Sequence, residues 1–164
     1  MSRIIKRVHI SASVDQVWQV LADFGSVEKW APTVIESHCS TETERGMGAK
    51  RILTTSTGEV TEERVIEWDE GHSFTFEIPN GLASIIKVLR ETWSVEHSPQ
   101  GTEVVVRMDY ETKDGIINSL LNALVVKRVL KRMLVQNLAG LKYHVETGEI
   151  VTPKTAKLPV AAVV

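Results

Sequence analysis

Among its 164 residues the chain has a single cysteine, Cys39. That excludes an internal disulfide and a thiolate metal cluster. An excess of one charge is also missing: 19 Lys and Arg stand against 21 Asp and Glu, a formal net charge of −2. No global field therefore argues for nucleic acid or an anionic membrane as partner. Long apolar runs are absent. Nowhere do the roughly 18 apolar residues of a membrane-crossing helix follow one another, and MSRIIKRVHI has none of the apolar length of a signal peptide. These absences predict a soluble cytoplasmic protein. Catalytic hallmarks are missing as well, with no nucleophile–base motif, phosphate loop or metal-ligand spacing. His9, His38, His72, His97 and His144 are scattered and read as structural or exposed. No cofactor or metal is expected.

What is present fits one domain over residues 1–149, large enough to bury a core and a cavity, with a loose tail at 150–164 that carries Pro153 and Pro159. Residues 3–10 alternate as a strand. In SASVDQVWQVLADF, Ser13 stands three residues before Gln16, the spacing of a capping box, and Val14, Val17, Trp18 and Leu21 share a helical face. Gly25 ends that helix, and SVEKW fits one further turn before Pro32. From Thr33 to Thr112, runs rich in Val, Ile and Thr are broken at Arg45–Gly48, Ser56–Gly58, Asp69–Gly71, Pro79–Ala83 and Ser98–Gly101. This spacing predicts six further strands joined as hairpins. Residues 115–147 read as a long helix ending at Gly148. Its apolar residues form two stripes: Ile117, Leu120, Leu121, Leu124 and Val125 lie nearly opposite Val126, Val129, Leu130, Met133, Leu134 and Leu141. One sheet cannot take both, so a kink near Val125–Lys127 is expected, with 116–125 forming a separate lip. The order is that of an α+β domain in which a strongly curved seven-stranded antiparallel sheet wraps the last helix.

Period-two alternation then selects the side chains that face the middle. With Ser98–Gly101 as loop, Val95, Trp93, Glu91 and Leu89 oppose Val104, Val106, Met108 and Tyr110 on one apolar face. Glu91 is the exception on that face, costly to bury unless it is paired or protonated, or else lying at a frayed end. A three-residue Ser56-Thr57-Gly58 loop sets Arg51 opposite Glu63, where opposite charges attract across the strands. The next loop decides which way they point. A Trp68–Gly71 loop puts Glu63 and Val65 inward with Phe74 and Phe76; an Asp69–Gly71 loop turns Glu62 and Arg64 inward. In the last helix Asn137 falls within the stripe of Val126, Leu130, Met133 and Leu141, where its amide needs a side chain, a water or a ligand as partner.

Three segments also carry a resemblance. VHISASVDQVWQVLADFGSVEKWAPTV resembles the opening of the SRPBCC superfamily, also called START-like or helix-grip, and in particular its polyketide cyclase/dehydrase branch. MGAKR followed by EERVIEWDEGHSFTF resembles the G-x-x-R … E-R-L-x-x-x-D pattern of bacterial members and of plant abscisic-acid receptors. QNLAGLKYHVE resembles the N-L-x-x-L of their last helix. The resemblance spans residues 3 to 148 and implies the helix-grip fold. It also implies that Glu63 and Asn137 line a ligand pocket and that Leu89 and Glu91 occupy pocket-strand positions. The receptor lysine that holds the hormone carboxylate falls at Pro32, and the gate loop is reduced to Ser56-Thr57-Gly58. Abscisic-acid sensing is therefore not implied.

The first functional reading is a binder of a small hydrophobic molecule, for transport, storage or sensing. Its cavity would be lined by Arg51, Glu63, Phe74, Phe76, Leu89, Glu91, Trp93, Val106, Met108, Tyr110, Met133 and Asn137. The alternative is a cyclase or dehydratase acting without metal, in which Glu63 or Glu91 moves a proton and Arg51 or Tyr110 stabilises an enolate. Lys127, Arg128, Lys131 and Arg132 cluster on one side of the helix. They read as a solvated face, with contact to anionic lipid as the second choice, and residues 116–125 are a candidate homodimer surface. Trp30 is expected to pack at the floor or rim of the cavity.

Overall fold

The computed structural model describes residues 1–79, 85–113, 120–155 and 157–164. Strand β1 (Ser2–Ile10) leads into helix α1 (Val14–Ala22) and a 3₁₀ segment (Phe24–Lys29). Strands β2 (Val34–Cys39), β3 (Lys50–Thr55), β4 (Val60–Asp69), β5 (Ser73–Ile78), β6 (Ile86–Ser98) and β7 (Gly101–Thr112) follow, then helix α2 (Leu120–Thr147). The seven strands form one antiparallel sheet in the order β1-β7-β6-β5-β4-β3-β2, so successive hairpins build it and β1 closes it against β7. The capping box is present: Ser13 accepts from the Gln16 backbone while the Gln16 side chain accepts from the Ser13 backbone. Gly58, at φ 86°, closes the β3–β4 turn in the left-handed conformation the three-residue loop requires.

The β6–β7 hairpin has the expected register, from His97 opposite Thr102 through Val95–Val104, Trp93–Val106 and Glu91–Met108 to Leu89–Tyr110. The β4–β5 hairpin differs from both expected alternatives. Its loop is Glu70-Gly71-His72, with Asp69 opposite Ser73 and Trp68 opposite Phe74, and the register shifts between Val65 and Glu67. Ile66 is the extra residue of a β-bulge. The bulge resets alternation, so Trp68 and Val65 both turn toward the interior although three positions separate them. Arg51 pairs with Glu63, and both are buried.

The long helix runs from Leu120 to Thr147 without a break, which corrects the kink expected near Val126. The conflict between its two stripes is resolved by exposure. Leu130, Leu134, Leu138 and Leu141 are buried, whereas Leu124, Val125 and Val129 lie open to solvent. Val129 thus belongs to the outer face, not to the core stripe. Residues 116–119 of the segment 116–125, with the side chains of 120–122, and the break expected over Pro79–Ala83 except Pro79 itself, lie outside the described residues. Among the strands, α2 packs most closely on β1. Near its end it lies tight on the Trp30–Pro32 turn, where a Cβ on Gly140 would stand 2.2 Å from the Trp30 carbonyl oxygen.

The tail expected to be loose bonds to the rest of the chain at two points. Val151 is buried and its N–H donates to the Lys29 carbonyl at 2.8 Å. Val164 exchanges both backbone hydrogen bonds with Arg7 of β1, so the chain end pairs with β1, an edge strand of the sheet. Among the described residues no helix is long and apolar enough to cross a membrane.

Candidate functional site

Between the inner face of β3–β6 and α2 lies a cavity of about 60 Å³. Its apolar lining comes from Val27 and Trp30 of the 3₁₀ segment and its end, Leu53, Phe76, Ile78, Leu89 and Trp93 of the sheet, and Met133 of α2. Arg51, Glu63, Glu91 and Asn137 supply the polar end, with Thr33, Thr55 and Thr61 around them.

The cavity exists because α2 settles on the β1 end of the sheet and stands off β3–β5. Eight of the twelve expected residues border it: Arg51, Glu63, Phe76, Leu89, Glu91, Trp93, Met133 and Asn137. The other four, Phe74, Val106, Met108 and Tyr110, face inward but are packed in the core instead. Phe74 is enclosed by other rings, with Trp18, Phe24, Trp68 and Phe76 centroids between 5.6 and 6.4 Å away. Val106, Met108 and Tyr110 sit on β7 beside β1, the strand α2 covers most closely. Tyr110 accordingly does not border the cavity. Trp30 stands at the cavity wall as expected, its ring centroid 5.3 Å from that of Trp93. Sequence reasoning missed Val27, Thr33, Val34, Leu53, Thr55, Thr61 and Ile78. Leu53 and Thr55 share the strand face of Arg51, so strand alternation could have found them; Val27 and Thr33 lie in irregular segments that carry no periodic signal.

Arg51 is the fixed point of the polar end. Its Nε donates to Glu63 Oε2 at 2.6 Å, its second terminal nitrogen reaches the same oxygen, and its Nη1 donates to the Phe24 carbonyl at 2.8 Å. The guanidinium also lies over the Phe24 ring, 4.0 Å from its centroid. Glu63 is thereby paired and desolvated at once. Among the described residues Glu91 makes no ion pair, although the more distant Arg51 acts on it. The Trp93 indole N–H donates to Glu91 Oε2 at 3.0 Å, and burial, followed by the charge of Glu63, pushes the Glu91 carboxyl up to about 8. At neutral pH it therefore holds its proton and is a hydrogen-bond donor.

Asn137 Oδ1 accepts from the Thr33 hydroxyl at 2.8 Å. That leaves three polar groups on the cavity wall, Glu63 Oε1, Glu91 Oε1 and the Asn137 NH₂, with no protein partner among the described residues. The cavity can thus offer hydrogen bonds to a guest at its polar end and aromatic and aliphatic walls along the rest.

A family model described as polyketide cyclase/dehydrase and lipid transport matches residues 1–146. Solved structures share the fold. A protein from Thermus thermophilus superposes with a TM-score of 0.71 at 21% identity, covering 88% of this chain and 97% of that one. Ara h 8.0201 does so with a TM-score of 0.65 at 13% identity, covering 88% and 97%. The di-domain ARO/CYC BexL from the BE-7585A biosynthetic pathway gives 0.71 at 16%, covering 89% of this chain and 50% of that one. At these identities the likeness shows the fold alone. No curated protein sequence matches the chain.

Proposed function

The chain belongs to the polyketide cyclase/dehydrase and lipid transport family, and from that premise we propose that it binds a small, uncharged, largely apolar molecule carrying a hydrogen-bonding oxygen. The observation that carries this reading is the set of unpartnered polar groups at one end of an otherwise apolar cavity. A carbonyl or hydroxyl oxygen suits the Asn137 NH₂ and the Glu91 proton as donors. A carboxylate does not, because Arg51 is already committed to Glu63 and a second anion would meet Glu63 at close range.

Size narrows the guest further. A cavity of about 60 Å³ holds on the order of four waters, well below the roughly 300–1,000 Å³ of drug-sized sites. A larger guest has to displace the α2 wall, where the flexible Met133 side chain is the natural part to move.

The test is native mass spectrometry of the purified protein, followed by binding of a panel of neutral ketones and alcohols against matched carboxylic acids. The expected result is a co-purified neutral small molecule, or saturable binding of the neutral members alone, weakened by Leu89→Trp. Preferential binding of the acids would overturn this reading.

One observation favours a second reading as cyclase or dehydratase. A protonated carboxyl and a paired carboxylate share the cavity, an arrangement suited to giving a proton at one point of a guest and removing one at another. On this reading Glu91 is the acid and Glu63 the base, with Arg51 as its orienting partner. Glu91→Gln separates the two readings: a binder keeps its ligand affinity, whereas an enzyme keeps affinity and loses turnover.

A further inference from the structure

Among the described residues nothing covers the outer face of α2, where Leu124, Val125 and Val129 are exposed. Between Asp114 and Glu146 the sequence contains no acidic residue, although acidic residues outnumber basic ones in the chain as a whole. Lys127, Arg128, Lys131 and Arg132 lie in this stretch, all exposed, and among the described residues none of them makes an ion pair. Leu124, Val125 and Val129 are 55, 60 and 61% exposed on the same helix. Spacings of four residues stack Leu124 on Arg128, Val125 on Val129 and Arg128 on Arg132, so apolar and cationic side chains share one convex surface. The patch continues onto the sheet edge. Lys6 of β1 lies in the field of Lys131, which adds to burial in lowering the Lys6 pKa.

We propose that this face of α2 docks on an anionic lipid bilayer, with Leu124, Val125 and Val129 entering the interface and Lys127, Arg128, Lys131 and Arg132 meeting the head groups. Charge complementarity selects this occupant. A second copy of the chain would set the four cations of one face against the four of the other. A folded acidic partner would need a concave surface shaped to a convex helix, whereas a bilayer accepts any such face that mixes cations with apolar side chains. The inference stands apart from the ligand reading, but the two meet at one element: Met133, on the inner side of the same helix, closes the cavity.

The experiment is co-sedimentation of the full chain with vesicles of phosphatidylcholine alone and of equal phosphatidylcholine and phosphatidylglycerol, at low and at physiological salt. Pelleting with the anionic vesicles only, weakened by salt, is expected. Each cation replaced by Gln should weaken partitioning about fivefold, and Arg128→Glu with Arg132→Glu should abolish it. Val125→Ser with Val129→Ser should weaken it at unchanged charge. All four residues are exposed, so unchanged melting temperatures will show that the variants fold.

Wild-type protein left in the supernatant at low salt would overturn the proposal, as would a charge-reversed variant that pellets like wild type. Displacement from vesicles by inorganic phosphate beyond the effect of equal ionic strength of chloride would mean a discrete phosphate site and overturn it. Self-association lost in Val125→Asp, or binding to soluble poly-glutamate without vesicle binding, would assign the face to another occupant.

Discussion

The β3–β4 hairpin and the β6–β7 hairpin each bring one carboxylate to the same cavity, and they keep it there by different means. Glu63 faces Arg51 directly across the strands and is charge-balanced by it. Glu91 faces Met108, has the Trp93 indole as its one hydrogen-bond partner among the described residues, and is balanced by a proton. A buried anion can be neutralised by a cation or by a proton, and the two solutions fail differently. The first depends on one side chain, the second on pH.

The largest effect should come from removing the cation. Arg51→Ala leaves Glu63 desolvated and uncompensated, and should cost about 3–5 kcal/mol in chemical denaturation at neutral pH. A loss below about 1 kcal/mol would mean that water reaches the pair, and the contrast between the two hairpins would disappear.

The proton-balanced site should instead show in the pH profile. The Glu91 pKa is raised from 4.5 to about 8 on folding, so between these values the native state holds a proton that the unfolded state has released. Stability should therefore be greatest below the unfolded value, fall as pH rises toward 8, and level off above it. The fall should be on the order of a few kcal/mol. Glu91→Gln mimics the protonated form and should flatten this part of the profile. A wild-type profile parallel to that of Glu91→Gln from pH 5 to 9 would show that Glu91 does not titrate as described.

Smaller effects sharpen the contrast. Replacing both partners, Arg51→Met with Glu63→Leu, should cost less than about 2 kcal/mol or even stabilise, since neither charge is then buried. The double-mutant cycle should consequently show strong coupling. Thr33→Val removes a single neutral hydrogen bond, to Asn137, and should cost about 1 kcal/mol; a larger loss would make Asn137 part of the charged network.

The same two regions mark how far the sequence could be read. Along β6 and β7 alternation is unbroken through the paired core residues, and each expected pair from Leu89–Tyr110 to His97–Thr102 forms. Along β4 it is interrupted by Ile66. A bulge inserts one residue without any composition of its own, so alternation counted from the Phe74 side and from the Glu63 side disagrees by one. In α2 the two apolar stripes suggested a kink, but the helix exposes Leu124, Val125 and Val129 in place of bending. Periodicity records which residues share a face, not whether that face is covered.

The sequence by itself determined the order of elements, the capped start of α1, the Arg51–Glu63 pairing and the inward direction of the β6–β7 residues. Each follows from backbone geometry over a few residues or one hairpin. Only the tertiary structure decided which inward side chains border empty space. Met108 and Leu89 face the same interior, yet Met108 is packed in the core beside the β1 end while Leu89 lines the cavity. A void is what remains between two surfaces that do not meet, here the curved sheet and α2 resting on its β1 end, and no local pattern in either one contains it.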